Sequence, residues 1–422
     1  MRRRRFLGVA AASAATAGIS PALTACGNGG PVTLRVVAGE YGDGAANSSR
    51  KYWDALARVF ETRHENIKVD VTVHSWLEID KRVADMVKDG HAPDIAQIGA
   101  YADYAAAGEL YPAERMLAVS TQAGFIGPIA KAGEVKRVPY GLPFVSSTRL
   151  LFYNKALFEE AGIASAPESW SELKQAAVKL KAMGVKIPYG LPLGPEEAPA
   201  EAMMWMLGGG GGYTDAGGSY TIDSTENIET FEWLRDELVG DGLTGPRSPA
   251  RTNRQDVFDA FVRGEVGMLN GHPTLLRQLA GQGIKYDSVP LPGRHGKSQA
   301  TMGVATWVMA FKQNGNRRQA GLFLDFLYEE KNVLDFSTQY DLLPVTTKAF
   351  GAMRRDRKYK RLWKFLDALE IAQFYPVDKT SWANISKGLK TRIGSTVVKG
   401  GDPASVLGEI QRQAEVLESA QG

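Results

Sequence analysis

Residues 32–99 alternate between two kinds of periodicity, and this alternation restricts the fold more than any other feature of the chain. VTLRVVAG (Val32–Gly39) is a β-branched run closed by glycine. SSRKYWDALARVFETRHE carries apolar residues at Trp53, Leu56, Val59 and Phe60, the spacing of one helix face. IKVDVTVH alternates with period two, so Ile67, Val69, Val71 and Val73 share a side. A polar helix over 78–88 and a short buried strand in PDIAQIG follow. Parallel strands need helical crossovers, so a βαβαβ order predicts a parallel sheet covered by helices. Ligands of such sheets sit at the C-terminal ends of the strands. That rule points to Glu40 and Tyr41 after the first strand, and to Gln97, Tyr101 and Asp103 after the third.

Further along, Pro139 and Pro143 stiffen the approach to one long predicted strand over 144–153. Ser169 and Glu172 have capping-box spacing ahead of a stripe at Leu173, Ala176, Ala177 and Leu180. YGLPLGPEEAPAEAMMWMLGGGGGYTD reads as loop, helix and glycine run. VFDAFVRGEVGMLNGHPTLLRQL reads as helix, short strand and a helix begun near Pro273. GVATWVMAF is a further strand, and most residues after it are helical.

The first residues form an export segment. Arg2 to Arg5 make a basic start, Phe6 to Leu23 a mild alanine-rich apolar run, and Leu23-Thr24-Ala25-Cys26 resembles a bacterial lipobox. Arg3-Arg4-Arg5-Phe6-Leu7 also resembles a twin-arginine signal. Cys26 is the single cysteine, so no internal disulfide is expected; GNGGP after it is a short tether. The four arginines are the whole basic excess: without them the 50 basic residues fall to 46, against 47 acidic. No nucleic-acid partner is therefore expected. Cleavage before Cys26 leaves about 397 residues, too many for one core, so two domains are expected.

The ordered set PDIAQIGAYADYAAAGELYP, PYGLPFVSSTRLLFYNKALFEEAGI with Pro167 and Trp170 after it, FVRGEVGMLNG, and FLDFLYEEKNVLDFSTQYDLLPV resembles the bacterial extracellular solute-binding lipoproteins of ABC transporters. The similarity is to the carbohydrate-binding kind that includes maltose-binding protein. It implies an α/β, two-lobe periplasmic-binding-protein-like fold with an interlobe hinge and a ligand cleft. The implied division is 1–26 signal, 27–31 tether, 32–143 plus 302–339 for the first lobe, and 144–301 plus 340–422 for the second. It also implies a monomer that binds a sugar, hands it to permease subunits, and touches the membrane only through a lipid on Cys26.

Sugars present hydroxyls, which suit Asp, Glu, Asn and Arg, and C–H patches, which suit flat aromatic rings. The resemblance places a polar contact at Glu40 and Tyr41 and a second binding loop at Tyr101 and Asp103. It places Ser147 at a position that often binds sugar. Arg149 stands two residues on in the same strand, either toward the ligand or pairing a structural carboxylate. Glu197 and Glu201, beside Trp205, stand where the family has an acid and aromatics, although a helix start favours acids by itself. Asn270 and His272 follow the strand VGMLN at its C-terminal end. Trp307 interrupts an aliphatic strand and suits a core as well as a ligand. Trp382 aligns with a tryptophan that stacks on sugar.

Other chemistries find no support. Gly296-Lys297-Ser298 has Leu291 where a phosphate loop needs its leading glycine, and the glycines 208–212 follow a helix instead of preceding one. There is no HExxH and no GxSxG. No cofactor or catalytic residue is expected. The alternatives are transport of a polyol, a glycerol phosphate ester or another small polar solute, and, further off, a secreted glycosidase built on a carboxylate pair.

Overall fold

The computed structural model describes residues 31–420 except 43, 77 and 100. The export segment and Cys26 lie outside them. The helix Ser49–Arg63 starts where the Ser48 side chain accepts the Arg50 N–H, and it buries Trp53, Leu56, Ala57 and Phe60. Val59, expected on that face, is 48% exposed; it precedes Phe60 and turns off the stripe, while Ala57 completes it. Strand Val32–Gly39 runs parallel to Ile67–His74 on one side and Ile95–Ile98 on the other. Strand Thr301–Ala310 then adds antiparallel to Ile95–Ile98, and its other edge pairs with Leu142–Thr148. This sheet and its helices bury an aromatic knot around Phe336, whose ring lies 4.6 Å from Phe144, 4.7 Å from Tyr52 and 5.0 Å from Tyr41.

The second sheet runs Tyr286–Val289, Leu150–Asn154, Val266–Gly271, Ile187–Gly190. The capping box at Ser169 and Glu172 starts helix Trp170–Ala182 against it. The single strand expected over 144–153 is two. Leu142–Thr148 belongs to the first sheet and Leu150–Asn154 to the second, and the chain changes sheet at Arg149. Residues just past the expected 143/144 and 339/340 boundaries pair with the first sheet or its neighbours. Residues 144–148 pair with Thr301–Ala310. Leu343 bridges to Ser146, and Thr346 to Phe125. Ala349, Met353, Phe365 and Leu366 share one core cluster with the first sheet, and it also takes in Leu150, Phe152 and Val266 of the second. Trp382 through Ala414 join the other cluster.

Three crossings lie side by side between the lobes. The Thr301 hydroxyl donates to the Arg149 carbonyl at 2.8 Å, and Thr301 and Met302 pair in parallel with Ala372 and Gln373. A ladder of two residue pairs bends more readily than the packed sheets on either side, which is the geometry of a hinge.

Candidate functional site

A cavity of about 490 Å³ opens between the two sheets beside this hinge. Its first-lobe wall is aromatic. Trp76 follows the second strand and lies flat against the end of the first, where a Cβ on Gly39 would meet the indole at 2.3 Å. Only glycine allows that approach. Tyr41 meets Trp76 edge-on at 5.3 Å and 84°. Its hydroxyl bonds the Thr306 Oγ1 at 2.8 Å and accepts from the Gln97 Nε2 at 2.6 Å, and the Gln97 Oε1 accepts the Gly39 N–H at 3.1 Å. Burial holds the Tyr41 phenol well above its ordinary range, against the hydrogen bonds from Thr306 and Gln97.

The second-lobe wall is a network of charges. Buried Arg149 donates to the Ser147 Oγ at 3.1 Å and to the Glu197 Oε1 at 2.7 Å. The other oxygen of Glu197 meets the Arg254 Nε at 2.6 Å, and Arg254 Nη2 reaches the Glu196 Oε1 at 2.5 Å. The Arg254 guanidinium also lies over the Phe258 ring at 4.9 Å. His272 shares a hydrogen with the Thr274 Oγ1 across 2.8 Å. Burial, then the charges of Arg149 and Arg254, hold its imidazole well below the usual histidine range. Arg149 is thus both a cavity residue and the partner of a carboxylate.

Tyr41, Ser147, Arg149, Glu197 and His272 therefore share one cavity lining. The other expected residues do not. Glu40 is spent on the chain: its carboxylate accepts from Ser48 Oγ at 2.6 Å, Ser49 N at 2.7 Å and Gly42 N at 2.8 Å, seating the first helix. Burial alone would raise its pKa; those bonds lower it. Tyr101 and Trp307 are core: their rings lie 5.6 Å apart, and the Tyr101 hydroxyl donates to the Ala132 carbonyl at 2.6 Å. Asp103 is exposed in the first turn of helix Ala102–Ala106, away from the cavity lining. Trp382 packs on Tyr375 at 4.9 Å and Tyr213 at 5.2 Å, outside the cavity lining. Tyr375 feels the charges of Glu197 and Arg149, so this aromatic cluster borders the network.

Glu201, Trp205 and Asn270 lie behind the second-lobe wall. One oxygen of Glu201 accepts from Trp205 Nε1 at 2.8 Å, Asn270 Nδ2 at 3.0 Å and the Tyr189 hydroxyl at 3.3 Å. Burial pushes its carboxyl up to about 8, against these hydrogen bonds. The helix Ala198–Gly208 is buried on nearly every side, which carries both residues inward.

Trp76, Thr306, Glu196 and Arg254 line the cavity without having been singled out. The strand-end rule that found Tyr41 reaches Trp76 too, two residues past the second strand. Arg254 carries no such signal; it is one of 50 basic residues, and only folding brings it to Glu196 and Glu197. Among the described residues no group of metal-ligating side chains forms, and no helix is long and apolar enough to cross a membrane.

Comparison with known proteins places this arrangement. The family model for bacterial extracellular solute-binding proteins matches residues 45–333. A Brucella abortus protein described as a binding protein is 27% identical over 374 residues, 87% of this chain and 89% of its own. The sn-glycerol-3-phosphate-binding periplasmic protein of Salmonella typhimurium is 26% identical over 256 residues, 58% of this chain and 56% of its own. In structure, the cyclic alpha-maltosyl-1,6-maltose binding protein of Arthrobacter globiformis aligns with a TM-score of 0.77 at 17% identity, covering 92% of this chain and 99% of that one.

Proposed function

This chain belongs to the bacterial extracellular solute-binding protein family, and from that premise we propose that it captures a carbohydrate in the interlobe cleft and delivers it to an ABC permease. One observation carries the reading: the cavity sets the flat ring of Trp76 on one lobe opposite the hydrogen-bonding network of Arg149, Glu197, Arg254 and His272 on the other. A sugar ring has both complements, an apolar C–H face and an equatorial belt of hydroxyls. A ligand held by both walls binds the closed form better than the open one, so it shifts the hinge equilibrium toward closure. The closed form is then what the permease meets. No covalent step is required, and no residue is assigned a catalytic role. The chain acts as a monomer, held at the outer face of the membrane by a lipid on Cys26.

The structural relatives bear on the ligand class: the Arthrobacter globiformis protein binds an oligosaccharide. The Salmonella typhimurium protein binds sn-glycerol 3-phosphate, and two arginines in the cleft make a phosphate ester the second reading. A thermal-shift screen against mono- and oligosaccharides, polyols and sugar phosphates separates the two. A ligand at a hundred times its Kd stabilises by about 2.7 kcal/mol. A neutral sugar should raise Tm without being hydrolysed, and Trp76→Ala should cut the stabilisation to about half at the same ligand concentration. A panel in which only phosphorylated solutes raise Tm would overturn the carbohydrate reading.

A further inference from the structure

We infer that the cleft selects uncharged solutes, and that Glu197, aided by Glu196, is the residue that turns anions away. The inference deepens the reading above and rests on the interlobe cavity being the solute site. Two arginines on one wall would ordinarily advertise a phosphate or carboxylate ligand, because guanidinium forks bind oxyanions in a bidentate way. Here both forks are already engaged. Glu197 gives one oxygen to Arg149 at 2.7 Å and the other to Arg254 at 2.6 Å, and Glu196 takes a further nitrogen of Arg254 at 2.5 Å.

Among the described residues, these two acids and two bases are the only ionised side chains of the cavity lining, and they sum to zero. The one remaining titratable cation, His272, is kept neutral by its burial and by the same two arginines. An entering phosphate would have to displace Glu197 or lie beside it and Glu196. Displacement leaves a partly buried carboxylate without its partners; coexistence sets like charges together. Both are costly beside Arg149, which is almost wholly withdrawn from water. A hydroxyl meets neither obstacle. It accepts from a guanidinium N–H and donates to a carboxylate oxygen, so a polyhydroxylated ring fits into the ion-pair network without changing its charge. Glu197 is therefore a specificity residue, and the arginines it pairs with offer their N–H groups from a network of zero net charge.

The test uses the mature chain, with glycerol 3-phosphate and inorganic phosphate as probes, read by calorimetry and thermal shift. Wild type should give no saturable heat with either probe. Glu197→Gln keeps an oxygen for one arginine and frees net positive charge, and should bind glycerol 3-phosphate at least about tenfold tighter than wild type, an effect that fades with added salt. Because Glu197→Gln strips a partner from buried Arg149, Glu196→Gln serves as a second variant. It alters the outer end of the network and should give a smaller gain in the same direction. Saturable binding of glycerol 3-phosphate by wild type overturns the inference. So does a folded Glu196→Gln with no gain over wild type. A neutral sugar that fails to bind wild type bears instead on the carbohydrate reading, so the two failures are distinguishable.

Discussion

Glu201→Gln should stabilise the second lobe at neutral pH while leaving it unchanged in mild acid. Glu201 is 3% exposed, and burial raises its carboxyl from 4.5 to about 8. The folded protein therefore holds a proton that the unfolded chain releases once pH exceeds about 4.5. A group with a raised folded pKa contributes stability that is complete below the unfolded value and is lost as pH climbs to the folded one. The loss proceeds at about 1.4 kcal/mol per pH unit, so by pH 7 it amounts to about 3 kcal/mol. Glutamine has the shape of the protonated acid. Its carbonyl oxygen can accept the same bonds from Trp205, Asn270 and Tyr189, and it has no proton to lose. The variant should match wild type at pH 4 and exceed it by about 3 kcal/mol at pH 7. Urea unfolding followed by tryptophan emission reports the relevant region, because Trp170, Trp205 and Trp233 pack together around this site. A wild-type stability that is flat between pH 5 and 8, or a variant that falls in parallel with wild type, refutes the reasoning.

Gly39→Ala places a methyl 2.3 Å from the Trp76 ring and must push the indole off the cleft wall. With ring stacking worth about 1.5 kcal/mol at most, ligand affinity should fall by about tenfold on calorimetry while the fold is kept; an unchanged Kd would show that Trp76 makes no stacking contact. Phe336→Ala removes the centre of the first-lobe aromatic knot and should cost about 3–5 kcal/mol in urea unfolding; a cost under about 1 kcal/mol would mean that the knot collapses into the space.

The periodicities over 32–99 were enough to specify a parallel sheet, because strand and helix repeats are local and each segment carries its own. The same local logic placed the capping box at Ser169 and Glu172 and located Tyr41 at a strand end. The residue-by-residue resemblance added Ser147 and Glu197, both of which line the cavity. Local pattern could not show that the strand expected over 144–153 changes sheet at Arg149, since no glycine or proline marks a break within that stretch. Nor could it sort acids by role. Glu40 at a strand end and Glu197 and Glu201 at a helix start are all acids where a ligand contact is expected, yet one seats a helix, one binds two arginines and one is buried with its carboxyl pushed up to about 8. Tyr101, Trp307 and Trp382 have the chemistry that a sugar site needs, but it is equally the chemistry of a core. What a side chain does here is set by partners such as Arg254, which lies 57 residues from Glu197 in the sequence and 2.6 Å from it in space. Secondary structure is written in neighbours along the chain, whereas charge, burial and access depend on neighbours across it, and those exist only once the lobes have closed their sheets.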